Sequence, residues 1–308
     1  MQTHSGMIAA PHTPMLADGS LNLRMVERQA ELLIESGAIG AFVGGTTGEA
    51  ASLAVDERLA LANRWVETAR GQLKIFVHVG HNCLSDARIM ARHAAQIGAD
   101  GISALAPSYF KPANVEDLVR VMAEIAAEAP ALPFYYYDIP SMTGVDLPMA
   151  DFLAQGAERI PNLRGMKCSN PDLVALLECL RLDGGRFEVF FGCDEMLLSA
   201  LVLGVKGAVG STYNFATPLY LRMIRAFEAG DLETARAEQA KSVALVRCLQ
   251  NFGFLAAAKA LMALQGVDCG PTRMPVRPLS AGEQAALRNA VARLGSNVLA
   301  RPLGQTPA

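Results

Sequence analysis

Lysine is scarce in this chain of 308 residues: of 27 basic side chains only six are lysines, at Lys74, Lys111, Lys167, Lys206, Lys241 and Lys259. A lysine inside an apolar segment is therefore conspicuous. A dense basic run is lacking too, and 27 Lys+Arg against 30 Asp+Glu leave a net charge of −3, which argues against a nucleic-acid-binding or anionic-membrane surface. No stretch approaches the about 18 uninterrupted apolar residues of a membrane span. Met1 to Gly6 carry no basic segment leading into an apolar run, so neither export nor membrane insertion is expected. The six cysteines (Cys83, Cys168, Cys179, Cys193, Cys248, Cys269) form no CxxC pair, and a chain this long needs no disulfide staples. Reduced thiols in a cytoplasm are expected, with small neutral or anionic molecules as partners.

What is present is a composition of 51% hydrophobic and 19% charged residues, that of one large domain or one domain with an appendage. Short apolar runs bounded by Gly or Pro begin near Gly6, Ile39, Lys74, Gly101, Pro133, Leu163, Phe187 and Gly204. Longer amphipathic stretches separate them; in Leu21 to Ser36, apolar Met25, Leu32 and Ile34 fall among Arg24, Glu27, Arg28 and Glu31. Asp56, Asp86 and Asn114 stand where helices should begin. Most intervals are close to the roughly 30 residues that a strand, a helix and a return loop require. The pattern predicts an α/β fold, a (β/α)8 TIM barrel over residues 1–230, with its site at the C-terminal ends of the strands. A doubly wound open sheet is the alternative, but Gly44-Gly45-Thr46-Thr47-Gly48-Glu49 has neither GxGxxG spacing nor a P-loop ending. Residues 231–308 read as a C-terminal helical extension (Leu232 to Leu249, Phe254 to Leu264, Ala281 to Leu294) with a frayed tail from Arg301.

Lys167 lies in the sixth run, Leu163-Arg164-Gly165-Met166-Lys167-Cys168-Ser169, just before a break at Asn170-Pro171. Strand alternation groups Gly165, Lys167 and Ser169 on one face and Met166 and Cys168 on the other. If the apolar pair faces the helices, the lysine faces the barrel axis. Desolvation disfavours an ammonium, and a neutral amine is what attacks a ketone to form a Schiff base. Lys74 and Lys206 open strands at the opposite end, and Lys111, Lys241 and Lys259 stand in loop or helical contexts. The competing assignment for Lys167 is a structural ion pair. In the fifth run Tyr135 and Tyr137 share a face, with Tyr137 nearer the C-terminal end. A phenol beside such a lysine suits proton transfer, though barrel filling explains three tyrosines equally well. The Gly44 to Glu49 loop offers backbone N–H groups and two hydroxyls to a carboxylate, or is ordinary turn chemistry. Asp194 and Glu195 open a helix, as N-terminal acids or as polyol ligands. His12, His78 and His81 end strands, so a metal site with Asp138 or Asp194 is conceivable, but no dense ligand motif supports it and no metal is expected.

With Gly-Thr-Thr-Gly-Glu at 45–49, Tyr137-Asp138-Ile139-Pro140 and Gly165-x-Lys167 in order, the whole chain resembles the dihydrodipicolinate synthase/N-acetylneuraminate lyase family of class I aldolases. Segments Ala129 to Tyr137, Asp194 to Leu201 and Gly210 to Asn214 resemble its sugar-acid-cleaving branch. The resemblance implies cleavage of a 2-keto-3-deoxy sugar acid, foremost N-acetylneuraminate, to pyruvate and an aldehyde, without a cofactor and through a covalent Schiff base on Lys167. It implies that Tyr137 moves the proton, that Thr46 and Thr47 hold the substrate carboxylate, and that Thr46 links Tyr137 to Tyr109 offered across a dimer interface. Ser169, Gly192, Asp194, Glu195, Gly210 and Ser211 match the sugar-chain pocket, and a homotetramer built as a dimer of dimers is implied. Two positions depart from the pattern. Asp138 stands where Asn is frequent and adds negative charge near the site, and Met142 stands where dihydrodipicolinate synthases carry an arginine. The rivals that keep the lysine are dihydrodipicolinate synthase, a keto-deoxy sugar-acid dehydratase and a hydroxy-oxoglutarate aldolase. Those that discard it are a metal-dependent barrel lyase and a non-catalytic ligand-binding barrel.

Overall fold

The computed structural model describes residues 4–69, 71–295 and 297–301. Met1 to Thr3, which open the segment read for a leader, and the expected tail beyond Arg301 lie outside the described residues. Among those described, eight strands close a parallel barrel in chain order: β1 (Gly6–Ala9), β2 (Gly40–Val43), β3 (Lys74–His78), β4 (Gly101–Leu105), β5 (Phe134–Asp138), β6 (Leu163–Cys168), β7 (Glu188–Phe191) and β8 (Gly207–Gly210). Closure is made by β8 on β1, Gly6 facing Gly207 through Ala9 facing Gly210. The barrel and its C-terminal helices are those expected, and every strand begins within three residues of its predicted start. The largest offset, at β8, arises because Gly204 ends the preceding helix in a left-handed conformation (φ 105°), which a glycine adopts without a Cβ penalty.

The helices are α1 (Met25–Ser36), α2 (Val55–Ala69), α3 (Leu84–Gln96), α4 (Val115–Ala126), α5 (Pro140–Thr143), α6 (Met149–Arg159), α7 (Leu173–Arg181), α8 (Leu197–Leu203), α9 (Tyr213–Glu228), α10 (Leu232–Gln250), α11 (Phe254–Leu264) and α12 (Ala281–Ala292). Asn114 caps α4 by accepting from the Asp117 N–H at 2.9 Å, while Asp56 and Asp86 sit in the first turns of α2 and α3, where the helix dipole favours acids.

Alternation along the strands divides the apolar residues into two cores. Met166, Cys168, Tyr136 and Phe134 join the large core between sheet and helices. Ile8, Phe42, Phe76, Tyr135, Tyr137, Phe190 and Val209 fill the barrel. Each buried side chain of this size contributes about 1.5–3 kcal/mol. Gly165 is required by close approach: a Cβ there would run into the carbonyl of Glu188 on the paired strand. The C-terminal helices then reach back to the barrel. Ser242 of α10 donates to the carbonyl of Asp194 at 3.0 Å, and Lys259 of α11 meets Glu49 at 2.8 Å.

Candidate active site

The register sets Tyr137 of β5 beside Lys167 of β6, and Lys167 beside Phe190 of β7. The Lys167 side chain is buried, its Nζ 4.1 Å from the centre of the Tyr137 ring and 4.4 Å from that of Phe42. Among the described residues no carboxylate lies within ion-pairing distance of it. The Tyr137 hydroxyl is 3.3 Å from Thr46 Oγ1. Thr47 Oγ1 and Ser211 Oγ share a hydrogen bond of 2.6 Å, which ties the loop after β2 to the loop after β8. That loop is seated from beneath, where Thr13 Oγ1 donates to the Gly48 carbonyl at 2.6 Å.

Asp194, buried at the start of the turn before α8, accepts from the Thr212 N–H at 2.9 Å and from its hydroxyl at 2.6 Å. Burial pushes its carboxyl up to about 6, and the Thr212 bonds and the Lys167 charge pull in the other direction. Gly210 lies directly against this carboxylate, leaving no room for a Cβ. Ser169 Oγ is 3.5 Å from the Gly192 carbonyl, and a Cβ at Gly192 would strike it. Ser169, Glu195 and Ser211 are half-buried at the mouth. The structure therefore gathers Lys167, Tyr137, Thr46, Thr47, Ser169, Gly192, Asp194, Gly210 and Ser211 at the C-terminal ends of β2 and β5–β8. Tyr109 is not brought to them: it is 80% exposed, stacked edge-on against Phe110 at 5.0 Å, and among the described residues no hydrogen bond joins it to Thr46.

One expectation is corrected. Asp138 does not add its charge to the site. Adjacent strand residues point to opposite faces, so Tyr137 inside the barrel sends Asp138 outward, into a small cavity with Met149, Met166, Cys168, Asn170 and Cys179. Burial there pushes its carboxyl up to about 7, against a lowering hydrogen bond from Asn170. The histidines do not converge with Asp138 or Asp194. His12 is fully buried beneath the loop and is pushed down to about 3 by burial and then by the Lys259 charge. His78 packs edge-on to Tyr137 at 5.7 Å, and burial, the Arg58 charge and the Lys167 charge hold it well below the usual imidazole range. His81 instead lies with Cys83 and Asp86 at the start of α3. Met142 is 62% exposed on α5 and offers no cation.

Two residues of the surroundings, Phe42 and Arg58, lie outside the candidates read from the sequence. Phe42 floors the amine. Arg58, buried on α2, donates to the carbonyls of His78 and Gly80 at 2.7 and 2.9 Å. Lys259 is a second buried lysine, paired with Glu49; its signal was a lone cation in the otherwise apolar Phe254–Leu264.

The chain is similar to known proteins over most of its length. The dihydrodipicolinate synthetase family matches residues 3–294. N-acetylneuraminate lyase of Danio rerio is 43% identical over 289 residues, 92% of this chain and 94% of that one. The solved structure of Proteus mirabilis N-acetylneuraminate lyase superposes with a TM-score of 0.93 at 41% identity, covering 96% of this chain and 99% of that one. A catalytic lysine mutant of Ruminococcus gnavus sialic acid aldolase superposes with a TM-score of 0.89 at 26% identity, covering 94% and 95%.

Proposed function

The chain belongs to the dihydrodipicolinate synthetase family, and from that premise we propose that it is a Schiff-base lyase cleaving N-acetylneuraminate to pyruvate and N-acetylmannosamine. The observation that carries the chemistry is the state of its two buried lysines. Lys259 is held by a carboxylate; Lys167, at the mouth of the barrel between Tyr137 and Phe42, is not. A lysine is catalytic in the Ruminococcus gnavus relative, which supports the same role here, and the lyase relatives support the substrate.

The Lys167 amine adds to the C2 ketone, and loss of water leaves an iminium that draws electrons from C3. Tyr137, oriented by Thr46, relays the proton of the 4-hydroxyl; the C3–C4 bond breaks, the aldehyde leaves, and the resulting enamine is reprotonated at C3. Hydrolysis then frees pyruvate and the amine. Thr46 and Thr47 hold the substrate carboxylate with hydroxyls and backbone N–H groups. Ser169, Gly192, Asp194, Glu195, Gly210 and Ser211 line the polyol, the two glycines by leaving space for it. No cofactor takes part, since the covalent iminium itself is the electron sink.

Tyr109 and Phe110, 80% and 86% exposed, meet a neighbouring subunit in a homotetramer of two dimers, where Tyr109 completes the Thr46–Tyr137 relay. The enzyme works in the cytoplasm. Borohydride added with pyruvate should fix one reduced adduct on Lys167, located by peptide mass. An unlabelled protein, or full turnover after Lys167→Ala, would sink the reading. A panel of keto-deoxy acids assayed for pyruvate separates cleavage of N-acetylneuraminate from dehydration or condensation, and light scattering reads the assembly.

A further inference from the structure

Glu49 closes the loop that carries Thr46 and Thr47, and its backbone stands at φ 56°, a left-handed conformation that a side-chain-bearing residue holds only when its surroundings enforce it. The enforcement comes from the far end of the chain. Glu49 Oε1 accepts from Lys259 Nζ of α11 at 2.8 Å, and Oε2 accepts from the Arg273 N–H at 2.8 Å. The remaining Lys259 contact is to the Pro271 carbonyl at 2.7 Å. Both side chains are 2% exposed, so water does not screen the pair. The segment is anchored in turn, because the Arg273 guanidinium binds Glu57 of α2 and donates to the carbonyls of Ser52 at 2.9 Å and Gly19 at 2.7 Å. The loop is thus gripped on both sides of Glu49. One turn before it, Thr46 accepts the Glu49 N–H at 3.0 Å through its carbonyl and meets Tyr137 through its hydroxyl at 3.3 Å.

We propose that Lys259 and Glu49 are positioning residues for the substrate carboxylate: a buried ion pair through which the C-terminal helices hold the Thr46–Thr47 loop in its binding shape. This rests on the assignment of that loop to the carboxylate. A buried pair suits the task because breaking it leaves an uncompensated charge, so the loop has one strongly preferred seat rather than several of similar energy. Carboxylate contacts persist from the bound substrate to the transition state, so their loss should appear mainly in KM.

The test compares wild type, Lys259→Met, and the double variant Glu49→Gln/Lys259→Gln, which removes both charges and leaves two amides able to bond. Steady-state cleavage of N-acetylneuraminate and half-saturation of borohydride trapping by pyruvate are measured beside hydrogen exchange of the backbone amides. Lys259→Met should raise KM and the pyruvate half-saturation at least tenfold, with kcat within about fivefold, and should speed exchange at 46–49 tenfold while β2 and β3 stay protected. The double variant should recover most of both losses. Wild-type KM with only a lowered melting temperature, or exchange accelerated evenly through the barrel, would overturn the proposal. If Lys259→Met does not fold, Glu49→Gln read in the same assays decides: faster exchange at 46–49 with a raised KM supports the strut, and a protected loop with wild-type KM rejects it. Failure of the lyase assignment is visible separately, as a wild type that neither releases pyruvate nor traps it, and the exchange comparison still decides whether the pair holds the loop.

Discussion

Tyr135 and Tyr137 stand two residues apart on the same face of one strand, yet the two ends of the barrel use them differently. At the floor, the Tyr135 hydroxyl donates to Glu188 at 2.6 Å, His4 Nδ1 lies 3.2 Å from the same carboxylate and Arg164 Nε 3.9 Å. Burial and the Glu188 charge push that phenol far up, so it stays a donor. At the mouth, the Tyr137 hydroxyl has a long contact to Thr46, and among the described residues no carboxylate pairs with the lysine beside it. A polar cluster whose members satisfy one another stabilises the fold; one left aimed at open space is available to a substrate.

The sharpest way to break this contrast is Lys167→Ala. Turnover should fall at least about ten-thousandfold and the borohydride adduct should vanish, while the melting temperature holds, because no ion pair is lost. Survival of the adduct would move the nucleophile elsewhere. Tyr137→Phe should lower kcat by about 10²–10³ and cost less than about 1 kcal/mol of stability; Tyr135→Phe should do the reverse, with kcat within about threefold and a loss of about 1–3 kcal/mol in urea melts. Equal kinetic damage from both would erase the distinction between the ends. Glu188→Ala, which removes the carboxylate that Tyr135 and His4 meet at the floor, should cost about 3 kcal/mol with kcat of the folded protein within about threefold.

The effect of Asp138 is one of pH and not of turnover. Its folded carboxyl titrates near 7 instead of 3.8, so the stability tied to the protonated form is complete below about pH 4 and is lost as pH rises through 7. Asp138→Asn, which does not titrate, should therefore exceed wild type by about 2–4 kcal/mol at pH 8, with the gap closing at pH 4. A gap independent of pH in paired urea titrations would show that the carboxyl is solvated.

Much of the architecture was legible because each unit is local. A glycine-bounded apolar run and an amphipathic stretch repeat, and right-handed parallel closure leaves few ways to arrange eight of them. The placement of Lys167 was legible for a similar reason, since alternation about Gly165 needs only its own strand. The same rule, carried one residue past Tyr137, turns Asp138 to the helix side, so its charge does not enter the barrel. The role of Lys259 is not legible in the same way, because its helix says nothing about a partner 210 residues away.

Periodicity and the scarcity of lysine thus named the barrel and the strand lysine worth attention, because those signals are written between near neighbours in the chain. Which polar groups are spent and which stay open depended on contacts that chain closure creates. Glu188 meets His4 across 184 positions and Lys259 meets Glu49 across 210. Such pairings follow from where the elements pack, since a hydrogen bond is made or missed within fractions of an ångström.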